Sequence, residues 1–477
     1  MSMRAFATAF AGRAGTGRGA YRLAAFSLAL AAAALVWLHP AAAAPQSLRA
    51  NITLTKVMDT AGGGSDSIRL ARDPSDGSLY YVKRGGQIYR VNLAAGTQTL
   101  VADAGDHGQT WLQGFAIGPA GTFFLVNNED VPGTQTRATI VKGVKPVGSP
   151  RIWSVLARSD PYPRSATAYD HRFNGIIVDP SGASIYVNSG SRTDHGEIQT
   201  AGGLYPGLRE SGLTASILRL PTSAKNLLLR DDRAWLRSSG YIFAEGIRNT
   251  FDFAFAPNGD LFGTENGPGR DDPEELNWLQ QGKHYGFPWR IGGNNNPMQY
   301  PDYNPATDRL LNPFSDAVKK GYYYNDPTYP PRPNIPFVEP VRNLGPDADK
   351  YRDPADGTVK DASAQGVPFS TFTPHRSPLG LVFDRARLLA APYRGGGFML
   401  SWTKGSATGD QIAGPFKDPG QDLLFLALTK AGGSYTLRAT RIVGGFSSPI
   451  DAEIVGRDIY VLEYGGKQSL WRVRMPQ

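Results

Sequence analysis

No cysteine occurs anywhere in the 477 residues. Disulfides, thiolate zinc sites, iron–sulfur clusters and covalently attached c-type haem are therefore excluded, and any electron carrier must be a non-covalent organic cofactor. Strong charge of one sign is missing as well. The formal net charge is +8, but Arg4, Arg13, Arg18 and Arg22 carry four of those charges. The rest are dispersed, with no basic stripe and no nucleic-acid motif, which argues against a nucleic-acid partner. Long apolar runs are limited to one, Leu23 to Leu38, about 16 residues and short for a membrane span. It follows the arginines with no acidic residue and precedes the small run Ala41 to Ala44, the layout of a secretory signal. Residues 1–44 are expected to be a signal peptide cleaved near Ala44, with an uncleaved anchor as the less favoured alternative, and the protein is expected in the periplasm or outside the cell. No Cys follows the run, so a lipoprotein anchor is excluded. Helical patterning is scarce too; the best candidate helix is Asp272 to Gln281.

What the chain has is turn formers and short alternations. With 41% apolar residues and 56 glycines it reads as many short strands around a large core. One pattern returns six times: an apolar alternation, a turn on Pro or Gly, and a second alternation rich in Tyr, Phe, Ile or Val. The copies are IRLARDPSDGSLYYV (68–82), GFAIGPAGTFFLV (114–126), GIIVDPSGASIYV (175–187) and DFAFAPNGDLFGT (252–264), with weaker ones at GLVFDRARLLAAP (380–392) and DAEIVGRDIYVLEY (451–464). Each predicts the inner hairpin of a small antiparallel sheet, completed by strands such as GQIYRVNL (86–93) and SLWRVRM (469–475). Six such sheets set radially give an all-β fold, a six-bladed β-propeller of four-stranded blades over residues 45–477, with NITLTKV (51–57) closing the last blade. Sandwiches and barrels share the pattern, and the number of copies favours the propeller. A segment rich in Pro, Asn, Asp and Tyr, 290–373, is expected to be a loop-rich insertion over one face.

Chemistry-bearing residues gather where these hairpins begin and end. Gln109 leads into the second copy, Asp170-His171 into the third and Arg248-Asn249 into the fourth, which is followed by Glu265-Asn266-Gly267-Pro268-Gly269-Arg270-Asp271-Asp272. Inner strands of a propeller start at the same end, so Gln109, Asp170, His171, Arg248 and Asn249 are expected to line one central mouth. A His beside an acid, with an Arg opposite, suits a general base with an electrophilic partner. A loop of Gly, Pro and carboxylates offers oxygens to a hard cation such as calcium, and the neighbouring Arg suits an anionic or quinonoid ligand. Singly, such a loop is more often a solvated turn and such a His a structural one.

GQTWLQGFAI, DHRFNGIIVDPSGASIYVNSG and EGIRNTFDFAFAPNGDLFGTENGPGRDDPEELNWLQQGKHYGFPW, in that order, resemble the soluble pyrroloquinoline quinone (PQQ) dependent aldose sugar dehydrogenases, the glucose and sorbosone dehydrogenase family of exported six-bladed propellers. The resemblance runs from about Ser65 to the C-terminus and is weaker in the last two blades. It implies a catalytic base at His171 with Asp170 beside it, a substrate-hydroxyl ligand at Gln109, quinone contacts from Arg248 and Asn249, and calcium at the carbonyls of Gly267 and Pro268. A second calcium would fall on Glu275 and Tyr285, and a PQQ carboxylate ligand on Lys404. The implied activity is oxidation of the anomeric hydroxyl of an aldose, or of a related alcohol, with hydride passing to PQQ and electrons to an external acceptor.

The chain departs from this pattern in three places. Nothing after Lys404 reproduces the family's pair of PQQ-binding arginines, SGSRTDHGE (189–197) stands where many members carry Gly-Asp, and the insertion 290–373 is long. Two other classes of function remain open: a calcium-dependent propeller hydrolase of the lactonase kind, and a non-catalytic extracellular binding module.

Overall fold

Each apolar alternation forms half of a hairpin because a turn former interrupts it. In the computed structural model, which describes residues 44–62, 64–403 and 414–477, the hairpins pair Ser67–Arg72 with Leu79–Lys83, Leu112–Gly118 with Thr122–Val131, and Phe173–Val178 with Ser184–Ser189. Three more pair Thr250–Phe255 with Leu261–Glu265, Pro378–Phe383 with Gly397–Ser401, and Pro449–Val455 with Asp458–Glu463. The turn chemistry is local. Asp179 gathers the amides of Ser181 at 2.9 Å and Ser184 at 2.7 Å, and Gly182 takes φ +77°, a conformation that a Cβ would strain.

The result is an all-β propeller. The six inner strands follow one another round a closed ring, and Thr53–Asp59 pairs with Ser469–Arg474, so the start of the described chain completes its last sheet. No disulfide is available for that closure; hydrogen bonds make it. Among the described residues five sheets have four or more strands, whereas the one built on Thr250–Phe255 has three. The expectation of four strands in every blade fails there because the next strand, Lys283–His284, pairs in parallel with Ile242–Glu245 of the preceding sheet.

Every inner hairpin slips register near its start, at Ser67/Arg69, Leu112/Gly114, Phe173/Ile176, Thr250/Asp252, Pro378/Leu381 and Pro449/Asp451. At these bulges neighbouring sheets meet backbone to backbone. A Cβ on Gly175 would lie 2.5 Å from Phe251 O, and one on Gly380 would lie 2.9 Å from Asp451 Cα. Where the equivalent residue is not glycine it bridges sheets instead. Arg69 donates to Gln113 O (2.9 Å) and Phe251 O (2.8 Å), Asp252 accepts from Leu381 N (2.9 Å) and Asp451 from Leu70 N (2.9 Å). Apolar layers fill the space between sheets. Phe262, fully buried, packs on Phe383 and Tyr435 at 5.4 and 5.0 Å between ring centres; truncating such a ring to alanine costs about 3–5 kcal/mol.

Two local expectations are corrected. Asp272–Gln281 is not a helix: Glu275–Leu279 is a strand paired residue for residue with Leu261–Glu265. The open edge of that hairpin and the burial of Leu276 and Leu279 override the helical preference of Glu-Glu-Leu. In the fifth copy the returning strand is Gly397–Ser401, not the Leu-Leu-Ala-Ala run. Asp384 collects the amides of Leu388 (2.9 Å), Leu389 (3.1 Å) and Gly395 (3.0 Å) and folds that run into a loop. The insertion carries only short elements, and two of them, Arg342–Asn343 and Phe369–Ser370, join the fifth sheet. The expected leader lies outside the described residues, apart from Ala44.

Candidate functional site

The loops that enter the second, third and fourth inner strands bring their polar residues to one end of the ring. His171 stands two residues before Phe173–Val178. Its Nδ1 lies 3.3 Å from Ser191 O and 3.2 Å from Ser191 Oγ, and that hydroxyl donates to Thr193 O at 2.8 Å. Both Ser191 oxygens therefore accept from the ring, which assigns the proton to Nδ1 and leaves Nε2 as the basic nitrogen, with the Tyr169 backbone also close to the ring. Burial, with the Arg248 guanidinium adding to it, pushes the His171 pKa down to about 3, so the imidazole is neutral at physiological pH. Gly190 makes the approach possible: a Cβ there would collide with His171 Cβ.

Asp170, expected as the acid partner of this histidine, faces elsewhere. Its carboxylate takes the amides of Ser165 (2.6 Å) and Ala166 (3.0 Å), and burial raises its pKa. It holds the preceding turn. Ser191, absent from the sequence reading, orients the base; the one hint of it was that SGSRTDHGE departs from Gly-Asp.

Arg248 is 4% exposed. Its Nε donates to Asp194 O (2.7 Å), Nη2 to Asp194 Oδ1 (2.8 Å) and Nη1 to Asn266 O (3.0 Å), so among the described residues two of its five N–H donors have no acceptor. Asp194, fully buried, also meets His195 Nδ1 at 2.9 Å, Gly269 N at 3.0 Å and the Tyr323 hydroxyl at 3.2 Å. Burial opposes its ionisation, but the His195 hydrogen bond and Arg248 outweigh it and hold the carboxyl below the usual range. The insertion grips this group: Tyr323 stacks on His195 at 3.7 Å, Tyr322 O lies 3.2 Å from His195 Nε2, and Asn296 and Tyr329 donate to His195 O at 2.7 and 2.9 Å.

Asn249 joins the same assembly. Its oxygen accepts from Asn174 (2.8 Å) and Asn188 (3.2 Å), its amide donates to Asn266 Oδ1 (2.9 Å), and Asn174 also donates to His171 O (3.1 Å). His171, Arg248 and Asn249 are thus brought together, with Ser191 N donating to Arg248 O at 2.7 Å. Gln109 is buried beside the short helix Ala104–His107, its amide donating to His107 O at 2.9 Å; among the described residues no hydrogen bond ties it to His171 or Arg248. Lys404 lies outside the described residues. A cavity of 360 Å³ opens at the opposite ends of the inner strands, lined by residues such as Arg72, Asp252 and Glu453 and by none of the groups above.

Neither carbonyl of the Gly267-Pro268 pair accepts a hydrogen bond among the described residues, and beside them Glu274 Oε2 is buried without a partner. Orphaned oxygens of this kind fit a hard cation. The second expected pair is not assembled. Glu275 lies opposite Glu265, the two carboxylates share Asn277 Nδ2 at 2.8 and 3.2 Å, and burial pushes Glu275 up to about 7. Tyr285 turns its hydroxyl to Trp278 O and Gln280 N, both at 2.7 Å. No group of three or more His, Cys, Asp or Glu side chains among the described residues is arranged for a metal.

A neutral histidine base beside a buried, partly unsaturated arginine at the mouth of a propeller is the kind of site an oxidoreductase of polar substrates uses. Sequence comparison agrees: residues 70–315 match the glucose / sorbosone dehydrogenase family, and the chain belongs to that family. No curated protein matches it. Among solved structures it is similar to a glucose dehydrogenase (16% identity, 89% of this chain and 100% of that one, TM-score 0.55). It is also similar to the apo form of the soluble aldose sugar dehydrogenase of Escherichia coli (15%, 89% and 99%, 0.52). A third is the holo form of the pyranose dehydrogenase PQQ domain of Coprinopsis cinerea (12%, 90% and 97%, 0.52). At these identities the structural likeness establishes the fold.

Proposed function

We propose that the protein is an exported, PQQ-dependent sugar dehydrogenase, oxidising the anomeric hydroxyl of an aldose or a related alcohol and passing electrons to an external acceptor. We count the three-stranded sheet as a blade, which makes the propeller six-bladed. Family membership and the PQQ-containing relative support the class. One observation carries the assignment: His171 is held neutral, with Nε2 as the basic nitrogen, beside an arginine with two donors that have no acceptor among the described residues.

In this reading His171 Nε2 takes the proton of the substrate hydroxyl while Ser191 keeps the ring in the receptive tautomer. Gln109 binds substrate hydroxyls. Arg248, fixed by Asp194, presents its remaining N–H groups to negative charge developing on the bound oxidant, where a preorganised donor is worth most. Asn249 lines the same wall. Gly267 and Pro268 would hold calcium through their carbonyls. When bound, PQQ would supply the two-electron acceptor for the substrate's hydride, and calcium would supply a Lewis acid. The leader layout in residues 1–44 is the ground for export.

Equilibrium binding tests this reading. PQQ titrated into the calcium-loaded apoprotein should bind the wild type and His171→Ala alike and Arg248→Ala far more weakly. Equal binding by all three, or none by the wild type, overturns it.

A further inference from the structure

Four carboxylates crowd the run Asp271–Glu275, and three have partners that explain them. Asp271 takes His375 Nε2 at 2.7 Å and Arg352 Nη1 at 3.0 Å. Asp272 takes Arg270 Nη1 at 2.5 Å and Asn294 Nδ2 at 2.9 Å. Glu275 takes Asn277 and the Gly292 amide at 2.8 and 2.6 Å. Glu274 is the exception. It is 3% exposed, its Oε1 has a long contact of 3.4 Å with Gly267 N, the Ser377 amide and the charges of His375 and Arg376 bear on its carboxyl, and among the described residues its Oε2 makes no well-formed hydrogen bond.

A buried carboxylate oxygen without a donor is costly, and a chain keeps one where something else satisfies it. The backbone leaves this side chain little freedom. Glu274 N donates to Phe372 O at 3.0 Å, and Glu274 O accepts from Thr371 N and Phe372 N at 3.0 and 2.8 Å. The carboxylate is pressed against the loop whose carbonyls are unclaimed: a Cβ on Gly267 would sit 3.2 Å from Glu274 Cγ, so glycine is what lets the two approach.

We infer that Glu274 is a direct carboxylate ligand of the cation held at the Gly267 and Pro268 carbonyls. This rests on the reading in which that loop binds a calcium-class ion. Two neutral carbonyl oxygens bind such an ion weakly; an added carboxylate supplies charge as well as an oxygen, and ligand charge count is what tunes calcium affinity. The remaining coordination positions stay open to cofactor and water.

The test uses the full chain, stripped with chelator and titrated with calcium alone by calorimetry and by thermal unfolding. Wild type should bind calcium and melt higher with it. Glu274→Gln, which removes the buried titratable carboxyl and keeps its shape, should melt at or above the calcium-free wild type, yet lose about tenfold or more in calcium affinity. Glu274→Asp, which keeps the charge but retracts the oxygens, should fall between the two. Wild-type calcium affinity in Glu274→Gln overturns the assignment while leaving the loop as the cation site. If that variant does not fold, wild-type affinity in Glu274→Asp overturns it instead. No calcium binding by the wild type, with or without PQQ, removes the cation reading of the loop itself.

Discussion

Arg248 Nη2 and Asp194 Oδ1 lie 2.8 Å apart, 4% and 0% exposed. This ion pair fixes the guanidinium on which the proposed chemistry depends, and the insertion surrounds its acidic member. Removing one partner of a buried pair leaves an uncompensated charge and costs about 3–5 kcal/mol. Asp194→Asn is therefore expected to lower unfolding stability by that order and to cut kcat/KM, read by denaturant titration and dye-linked assay. Wild-type kcat/KM in this variant would show that Arg248 needs no such fixing.

Ser191 on Nδ1, in place of a carboxylate, leaves His171 with a pKa of about 3 because of burial first and Arg248 second. A base of that pKa stays deprotonated at all ordinary pH, so kcat should show no acid limb near the usual imidazole value. Ser191→Asp places a negative charge against the ring, favours the imidazolium and moves the acid limb up by about 1–3 pH units. pH–rate profiles of the two proteins decide the point; coincident profiles count against His171 as the base.

Much of the architecture was legible because its determinants are local. Asp-Pro-Ser-Gly turns between alternations announce hairpins, and the strand 51–57 was recognisable as one that closes the last blade, although its partner, Ser469–Arg474, is a finding of the fold. The Asp272–Gln281 segment misled because Glu-Glu-Leu has helical preference, while the hairpin edge that captures it is a tertiary feature. At the site, His171, Arg248 and Asn249 were visible from their positions before inner strands. Ser191 and Asp194 were not: their partners lie 20 and 54 residues away, and only the folded ring shows which polar atom of the 189–197 loop faces which. Asp170 illustrates the converse, a neighbour in sequence whose carboxylate serves another turn.

Where the inner strands meet, Asp252 is pushed up to about 6 by burial, despite Arg69, and burial with Asp252 alongside raises Asp451 well above the usual range. Unfolded aspartates ionise near about 3.9. Between that value and about 6 the folded state holds more protons, so stability falls as pH rises through this window. Asp451→Asn, whose amide oxygen can still accept from Leu70 N, should be more stable than wild type at pH 8, with the difference shrinking at pH 4. Urea unfolding at both values checks this, and a pH-independent difference would contradict the shared titration.

The most direct measurement is reconstitution. The mature protein is purified without cofactor, calcium and PQQ are added separately and together, and reduction of an artificial dye is followed with a panel of aldoses and alcohols. Substrate-dependent reduction that requires both additions and disappears in His171→Ala while PQQ remains bound is the expected result. No PQQ binding, or lactone hydrolysis with calcium alone, would contradict it.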